Sequence, residues 1–289
     1  MREAVEKPQV PSSLKFLYYT RLGGLCLRII NRRWLSKLVG HHLDGRFSRR
    51  RIKKYIAKNG IDMSEFLEED YGSFNEFFTR RIKPELRPFD MEKTALCSPC
   101  DGKVSAYVID EELKFNVKGF DYTVETLLKN SALAEEFRGG LCIVLRLCVT
   151  DYHRYCFFDG GSARDNTFIK GRLHTVQPVA LERRRVFTEN CREYTVLDTD
   201  NFGTAVQVEV GAMMVGRIVN DVKSGRFERG QEKGRFEFGG STIILLLKKD
   251  SAVLDEEFFV NTAADKETVV KCGERIGSAA QKQENSDKE

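Results

Sequence analysis

Near residue 94 the sequence changes from helical spacing to short apolar runs that are separated by Gly and Asp. The later runs have the length and composition of strands, and they include KVSAYVI, CIVLRLCV, YTVLDT, AVQVEVGAMMVGRIV and STIILLL. Residues 14 to about 85 have helical patterning instead, and residues 123–138 predict one further helix. Helices followed by strands predict an α+β fold, with an N-terminal helical segment ahead of a mainly antiparallel β core.

Three regions follow from this pattern. We predict an N-terminal helical region over residues 1–90, a β-rich catalytic core over 91–275 and a disordered tail over 276–289. Residues 1–13 are polar and contain two Pro, so we expect them to be irregular. With 289 residues and 41% hydrophobic content, the chain is long enough to bury a large core.

The N-terminal region carries most of the positive charge. Residues 1–60 contain 15 Lys or Arg and three Asp or Glu, a balance of +12, whereas the whole chain carries only +4. The small net charge argues against a general nucleic-acid binder. The basic front favours an anionic partner surface, either a membrane or a nucleic acid, although a solvated helical face is an equally good interpretation.

Residues 14–39 combine apolar residues with six cations and are interrupted by Gly23 and Gly24. This run is too broken for a spanning helix, which needs about 18 apolar residues. It predicts either an interfacial helical segment or a set of packing helices.

The eight Cys are scattered along the chain, which favours reduced thiols in a reducing compartment over a disulfide framework. Cys97 and Cys100 match the C-x-x-C spacing, but no second such pair or paired His follows at the spacing of a zinc site. We therefore predict no metal site there.

Only a few residues have the type and position for catalysis. His153 lies just after the apolar run 141–149, next to Asp, Tyr and Arg, and His174 opens a later stretch. Asp101 lies in a tight turn before a strand, where a carboxylate is able to orient a His. Each also has a plain structural interpretation, as a packed or exposed His or as an Asp that caps its own turn.

The stretch FGGSTIILLL places Ser241 directly after two glycines and before a strand that looks buried. A turn is one interpretation, because Gly and Ser favour turns. The other is self-cleavage, in which Ser241 attacks the carbonyl of Gly240, whose missing side chain leaves the approach open. Ester formation, elimination and hydrolysis would then leave a pyruvoyl ketone, an electron sink for a substrate amine. No G-x-S-x-G elbow is present, which argues against a serine hydrolase.

Four motifs, in order, give the chain a resemblance to the phosphatidylserine decarboxylases over about residues 14–277. SPCDGKV (98–104) is similar to the family's S-P-x-D-G-x-V, and TDYHRYC (150–156) is similar to its D-Y-H-R-x-H. VEVGAMMVGRI (208–218) resembles V-G-A-x-x-V-G-x-I, and FGGSTIILL (238–246) resembles the G-S-T processing site. Four motifs in one order are far more specific than any single one, and they favour the self-cleavage interpretation.

The resemblance implies a proenzyme that cleaves itself between Gly240 and Ser241. The products would be a β chain (1–240) and an α chain (241–289), with Ser241 converted to a covalent pyruvoyl group. The amine of phosphatidylserine would form a Schiff base with that group. Loss of carbon dioxide, protonation and hydrolysis would then release phosphatidylethanolamine.

Single residues carry over from the motifs. Asp101 matches the family's charge-relay acid for self-cleavage, and His153 matches the His that would assist decarboxylation or reprotonation. The second His of that motif is Cys156 here, so the self-cleavage base is in doubt. We expect His153 to take this role, with His174 as the second choice and a Cys156 thiolate as a further alternative. Gly239 stands where the family often has Leu, which should loosen the site without removing the nucleophile.

The resemblance also implies a membrane partner. A lipid substrate and a basic, apolar front predict a peripheral enzyme on the cytoplasmic face of a bacterial cell membrane, docked through residues 14–40 of the membrane-associating region, with no nucleic-acid partner. After cleavage we expect a β/α heterodimer, and a dimer of these is an open alternative. Residues 183–185, three Arg in a row, are interpreted as a solvated basic loop in preference to a lipid-phosphate contact.

Two other functions stay open at this stage. One is a pyruvoyl-dependent decarboxylase that acts on another amino-acid substrate. The other is a peripheral membrane-binding relative that has lost self-processing, for which Cys156 in place of a His is the best support.

Overall fold

The structure, a computed structural model, describes residues 1–6, 10–67, 70–213, 217–239 and 241–280. Within these ranges the α-helices are α1 (Ser12–Tyr19), α2 (Arg21–Ile30), α3 (Arg33–Asp44), α4 (Ile52–Asn59), α5 (Phe74–Phe78), α6 (Val124–Leu128), α7 (Ser131–Glu135), α8 (Pro178–Leu181), α9 (Val186–Glu189) and α10 (Glu256–Ala263). Short 3-10 helices occupy Arg46–Arg51, Met63–Glu65 and Pro84–Leu86.

The strands begin at the N-terminus and then resume after the helical region. They are β1 (Ala4–Val5), β2 (Ala95–Cys97), β3 (Gly102–Val108), β4 (Lys114–Val117), β5 (Phe120–Thr123), β6 (Leu141–Leu147), β7 (Arg154–Cys156), β8 (Gly161–Ala163), β9 (Thr167–Ile169), β10 (Arg192–Thr199), β11 (Gly203–Val210), β12 (Ile218–Asn220), β13 (Gly225–Phe227), β14 (Glu232–Phe236), β15 (Ser241–Leu247), β16 (Ala252–Leu254), β17 (Glu267–Val270) and β18 (Arg275–Ala279).

A ten-stranded sheet forms the centre of this β structure, in the order β1-β17-β3-β6-β15-β11-β10-β8-β13, with β9 also paired to β10. Two three-stranded sheets, β12-β14-β7 and β16-β18-β2, and the hairpin β4-β5 complete it. All strand pairs formed by the described residues are antiparallel. The predicted α+β fold, with helices ahead of a mainly antiparallel core, is confirmed.

Strand β15 lies between β6 and β11, and all seven of its residues are buried. Ile244 and Leu246 belong to an apolar cluster on one face of the sheet, whereas Ile243, Leu245 and Leu247 belong to a second cluster on the other face. A strand that is covered on both faces needs a continuous apolar run, and this explains why the sequence does not alternate here.

The five helices α1 to α5 form the N-terminal helical region, called the helical front from here on. It has a small apolar cluster of its own, which joins α3, α4 and α5. Its fully buried aromatic residues include Phe77 and Phe78, and Phe238 from the segment before β15 packs against it. Ser73 fixes the start of α5 by accepting a hydrogen bond from the N–H of Glu76 at 3.1 Å. The front is therefore tied to the part of the core where β15 begins.

The structure corrects the expectation of an irregular N-terminus. Residues 4 and 5 form β1, which pairs with β17 near the other end of the chain. Arg2 forms ion pairs with Asp255, Glu257 and Glu274. Two residues of strand have no recognisable periodicity, so this contact depends on the partner strand and not on local sequence.

Two further predictions are corrected. The single helix expected over 123–138 is two short helices, α6 and α7, because Lys129 has a φ of 51° and Asn130 caps α7 instead of continuing α6. The disordered tail was expected from residue 276, but β18 extends to Ala279 and pairs with β2 and β16. Residues 281–289 of that tail lie outside the described residues. Helix α10 is a further element that the sequence pattern did not predict.

Candidate active site

Ser241 is the first residue of β15, where the central sheet is covered on both faces. Its Cα pairs with Leu147 of β6, and the next residue, Thr242, pairs with Val210 of β11. Both hydroxyls are buried, and neither has a hydrogen-bond partner among the described residues. A buried hydroxyl without a partner costs about 1–3 kcal/mol. Such a cost at the predicted nucleophile is the kind of exception that points to function.

The segment that leads into Ser241 is held by aromatic packing. Phe238 lies between Phe74 and Phe78, with ring centroids 5.2 Å away in each case. Gly239 then has a φ of 131°, a backbone conformation that would strain a Leu at this position. This gives a physical reason for a Gly in place of the family's Leu. Gly240, the other half of the predicted cleavage site, lies outside the described residues.

His153 is buried beside this segment, with 1% of its surface exposed. Its Nδ1 lies 2.7 Å from the backbone carbonyl of Asp151, and a carbonyl only accepts, so Nδ1 carries the proton. The Nε2 atom therefore has a free lone pair, and it has no partner in the part of the chain that the structure describes. Burial lowers the pKa of His153 to about 3, so the ring is neutral near pH 7 and able to accept a proton.

Two contacts connect His153 to the residues that precede Ser241 in the chain. The N–H of Phe236 donates to the His153 carbonyl at 2.9 Å. The His153 ring also packs on Phe78, with centroids 4.1 Å apart, and Phe78 in turn contacts Phe238. His153 is thus linked to Phe236 directly and to Phe238 through Phe78, in the stretch of chain that precedes Ser241.

Asp101 is buried in a different set of hydrogen bonds. Its two oxygens accept a bidentate pair from Arg87, at 2.8 and 2.7 Å, and Oδ1 also accepts from the N–H of Cys272 at 2.8 Å. Among the described residues no His hydrogen-bonds to this carboxylate. The expected Asp–His pair is therefore not formed in this structure, and His153 is oriented by a backbone carbonyl instead.

Cys156, which stands where the family has its second His, lies beside Asp101. The N–H of Cys156 and the thiol of Cys272 both donate to the carbonyl of Pro99, at 2.8 and 3.4 Å. A hydrogen bond with Cys156, burial and the nearby Asp101 carboxylate all raise the pKa of Cys272 well above its ordinary value. Sequence reasoning missed Cys272, because 116 positions separate it from Cys156 and no motif links the two.

His174, the second choice for the base, lies under the helical front. Its Nδ1 contacts the hydroxyl of Tyr18 at 3.2 Å, and its Nε2 lies 3.3 Å from Asn31 Nδ2 and 3.4 Å from a Glu189 oxygen. Both ring nitrogens thus have partners, unlike Nε2 of His153. The contacts join α1 and α2 to the loop before α8.

Arg80 is a further residue that sequence reasoning missed. Its guanidinium is stacked on Phe66 and Phe77, 4.1 and 4.7 Å from their ring centroids. It is buried, its Nε and Nη2 have no partner among the residues described, and its charge contributes to the lowered pKa of His153. A capped helix followed by a run of two Arg was the only local signal.

A buried ion pair lies on the Ser241 side of the central sheet. Glu209 is the Cα partner of Ile243, two residues from Ser241, so its side chain faces the same way. Lys233 Nζ donates to Glu209 at 2.8 Å and to Asn220 Oδ1 at 2.8 Å, and neither ionic side chain is exposed. Burial raises the pKa of Glu209, against the opposing effect of Lys233.

The arrangement has the parts of a self-acylating serine site. Within the described residues it provides a buried hydroxyl without a partner, a neutral imidazole with a free lone pair near the segment that leads to it, and, at Gly239, a positive φ two residues before Ser241. Within the described residues, no group of His, Cys, Asp and Glu side chains is arranged to hold a metal ion. The centre of the third motif, residues 214–216, lies outside the described residues.

Comparisons with known proteins identify the family of the chain. The family model described as phosphatidylserine decarboxylase matches residues 74–278. The chain is 46% identical over 274 residues to phosphatidylserine decarboxylase proenzyme 2 of Clostridium acetobutylicum, covering 94% of each protein. It is 42% identical to the phosphatidylserine decarboxylase proenzyme of Ruminiclostridium cellulolyticum, covering 93% of this chain and 92% of that one. The proenzyme of Clostridium botulinum is 40% identical over 283 residues, or 95% of each chain. The chain belongs to the phosphatidylserine decarboxylase family.

Proposed function

We propose that this protein is a self-processing phosphatidylserine decarboxylase that converts phosphatidylserine to phosphatidylethanolamine with a pyruvoyl group derived from Ser241. Family membership supports the overall reaction. The observation that carries the finer proposal is the buried Ser241 hydroxyl, which has no partner among the described residues and lies at the first position of a core strand.

The first step is self-cleavage between Gly240 and Ser241. The Ser241 oxygen attacks the carbonyl carbon of Gly240, the C–N bond breaks, and the hydroxyl proton passes to the released amine. The resulting ester leaves by elimination when the Cα proton of residue 241 is removed. Water then replaces the nitrogen, which departs as ammonia, and the new N-terminus is a ketone. The products are the β chain (1–240) and the α chain (241–289).

The surroundings of Ser241 fit a pyruvoyl group. The group is no larger than the serine residue that it replaces, so the first position of β15 needs no repacking. The hydroxyl that is lost has no hydrogen-bond partner within the described residues, so its removal leaves no orphaned polar atom. When formed, the group supplies an electrophilic carbonyl that accepts the electrons released as carbon dioxide leaves.

We assign His153 the proton transfers. Its Nε2 lone pair is free, and the depressed pKa means that the ring gives up readily any proton it has taken. The same atom is our first choice for the self-cleavage base. His174 is the weaker choice, since both of its ring nitrogens already have partners.

Asp101 and Cys156 have supporting roles in this proposal. Asp101 carries a charge that Arg87 balances, and it lies next to Cys272 and Cys156. We propose that this group acts on self-cleavage by holding the loop that ends β7. A Cys156 thiolate as the base is the alternative.

The helical front is the proposed membrane contact. Of the 17 large apolar side chains exposed in the described residues, eight lie between positions 16 and 47: Phe16, Tyr19, Leu22, Leu25, Ile29, Trp34, Leu38 and Phe47. Cations are interleaved with them, as an anionic membrane surface favours. No helix in the described ranges is both long enough and apolar enough to cross a bilayer. We therefore propose peripheral binding at the cytoplasmic face by a β/α heterodimer, or by a dimer of these.

The decisive experiment is the intact mass of the purified protein under denaturing conditions. We expect two chains split after Gly240, with the light chain carrying pyruvoyl in place of Ser241. The split and the decarboxylation of phosphatidylserine are expected to be lost in Ser241→Ala, while the matched control Ser162→Ala, on an exposed strand position, keeps both. A single uncleaved chain in the presence of anionic vesicles would overturn the proposal.

One other function has a specific observation in its favour. A non-processing, membrane-binding relative is supported by Cys156 in place of the second His and by an Asp101 that pairs with Arg87. The mass measurement separates it from the enzyme. A pyruvoyl-dependent decarboxylase of another amino acid would show the split but would release carbon dioxide from the free amino acid and not from phosphatidylserine vesicles.

A further inference from the structure

A cavity of about 610 Å³ opens between helix α2 and the loop that precedes α8. Four arginines line it, and they come from two separate parts of the chain: Arg21 and Arg28 from α2, and Arg172 and Arg184 from the loop regions on either side of α8. His174, Asn31 and the leucines of α2 complete the wall. Nothing in the proposed chemistry at Ser241 uses these arginines.

All four arginines are exposed at the cavity wall. None of the four guanidinium groups forms an ion pair within the described residues. Contact with His174, and more weakly the charge of Arg184, lower the pKa of Glu189, whose carboxylate lies 3.4 Å from His174 Nε2. Four guanidinium groups around one cavity repel each other, and an anion with several oxygens would relieve that repulsion. Arg is also the side chain that binds phosphate in a bidentate manner.

A second observation narrows the ligand. Asn31 lines the cavity and is buried, with 1% of its surface exposed, and its Oδ1 atom has no partner among the described residues. This oxygen is held in place because Asn31 Nδ2 contacts His174. An unpaired acceptor beside a cationic wall calls for a ligand that carries a hydroxyl or ammonium donor next to its anionic group.

Exposed apolar side chains of α2 adjoin the cavity. Leu25 lines the cavity and is exposed, and Leu22 and Ile29, one turn away on the same helix, are also exposed. These side chains belong to the surface that we propose to contact the membrane. A lipid with its chains in the bilayer and its headgroup toward the protein would meet this cavity.

We propose that this arginine cavity binds the phosphate of a phospholipid headgroup, with Asn31 accepting a hydrogen bond from the headgroup's hydroxyl or ammonium. This rests on the proposed membrane role of the helical front. Of the three arginines at 183–185, which the sequence analysis interpreted as a solvated loop, only Arg184 lines the cavity, so the proposal revises that interpretation for Arg184 alone. Arg183 instead stacks on the ring of Tyr19.

The cavity is also connected to the reacting strand. The carbonyl of His174 accepts a hydrogen bond from the N–H of Met213 at 3.1 Å. Met213 follows the end of β11, whose last residue, Val210, pairs with Thr242 next to Ser241. Backbone contacts therefore connect His174 in the cavity wall to the strand that pairs with Thr242, next to Ser241.

The test uses the full-length protein and monomeric dihexanoyl phosphatidylglycerol, a lipid that carries phosphate and hydroxyls but has no carboxylate to lose. Its dissociation constant is measured by calorimetry for Arg172→Gln and Arg184→Gln, against the controls Lys170→Gln and Arg185→Gln. Each control removes the same charge from a nearby exposed position that does not line the cavity. We expect each cavity variant to weaken binding about tenfold, and each control to stay within about twofold.

Three results would overturn the proposal. Equal weakening in all four variants would mean general electrostatic attraction, and no change in the cavity variants would mean that the lipid binds elsewhere. If inorganic phosphate bound as tightly as the lipid with the same arginine dependence, the site would be a free-phosphate site and the lipid assignment would be wrong.

Kinetics with short-chain phosphatidylserine tell which phospholipid occupies the cavity. If the substrate itself binds there, Arg172→Gln and Arg184→Gln raise KM about tenfold and leave kcat unchanged. If another lipid binds there, KM stays the same and phosphatidylglycerol does not compete with the substrate. Either result supports a phospholipid site. Self-cleavage, read from intact mass, is measured on the same variants, so a failure at the cavity is distinguishable from a failure of the proposed enzyme.

Discussion

The β core and the helical front differ in how their charged side chains are paired. In the core, buried carboxylates are matched by buried cations, as in Arg87–Asp101 and Lys233–Glu209. In the front, the arginines of α2 point into a cavity or into solvent without an ion pair among the described residues. In the core, each buried cation favours the ionised form of the carboxylate beside it. Unpaired charges in the front leave binding capacity for a molecule from outside.

The two regions differ in the same way in their apolar residues. Every residue of β15 is buried, whereas the helical front leaves large apolar side chains exposed from position 16 to position 47. Clustered exposed apolar side chains commonly mark an interaction surface, in keeping with the membrane contact that we propose for the front. Substitutions in the core should therefore change activity or stability, whereas substitutions in the front should change membrane binding.

The largest effect is expected from the core at His153. Replacement of this residue in His153→Gln removes the free Nε2 lone pair, and we expect phosphatidylethanolamine formation to fall by about 10²–10⁴-fold. The control is His42→Gln, an exposed His of the front that should keep full activity. Product formation and the rate of self-cleavage are measured together. A fall of less than about tenfold in both would remove His153 from its proposed role.

The second prediction concerns the stability of the core and the buried ion pair between Lys233 and Glu209. Lys233→Met leaves the Glu209 carboxylate buried without its cation, and we expect the free energy of unfolding to fall by about 3–5 kcal/mol. The double variant Lys233→Met/Glu209→Leu should recover most of that loss, because no isolated charge remains. Urea unfolding of both variants gives the comparison. A double variant no more stable than the single one would mean that the pair matters for packing and not for charge.

The pH dependence of stability tests the buried imidazole. The pKa of His153 is lowered to about 3 by burial, so the unfolded chain takes up a proton near pH 6.5 that the folded chain does not. Above pH 6.5 the ring is neutral in both states, so it does not reduce the free energy of unfolding. As the pH falls from 6.5 toward 3, only the unfolded chain gains the proton, and the free energy of unfolding decreases. Between pH 7.5 and pH 5.5 we expect His153 to account for about 1 kcal/mol of lost stability. Thermal unfolding of wild type and His153→Gln should differ in pH slope, and equal slopes would contradict the assignment.

The front should respond in binding and not in stability. Ile29→Ser removes one exposed apolar side chain from α2, and we expect partition onto anionic vesicles to weaken about tenfold. Val253→Ser is the matched control, since both residues are 59% exposed but Val253 lies in β16 of the core. Vesicle flotation and urea unfolding are measured for both. If Val253→Ser weakened binding as much, the membrane contact would not be confined to the front.

The same contrast shows what the sequence could predict. The seven residues of β15 were predicted as a strand because a continuous apolar run is a local pattern, and the change to strands near residue 94 predicted the fold class. Distances between remote residues leave no such pattern. Asp101 was identified, but its partner Arg87 and its neighbour Cys272 come together only through tertiary contacts. For the same reason β1, two residues long, was missed.

The smallest expected effect concerns Cys156. If His153 is the base, Cys156→Ala removes only a small, partly exposed thiol next to Cys272, and self-cleavage should stay within about threefold of wild type. If a Cys156 thiolate were the base, the loss would instead be about 10²–10⁴-fold. The rate is measured from the appearance of the light chain by intact mass, with Cys26→Ala, an exposed Cys of α2, as control. A large loss in Cys156→Ala with a normal rate in Cys26→Ala would transfer the role of base from His153 to the cluster around Asp101.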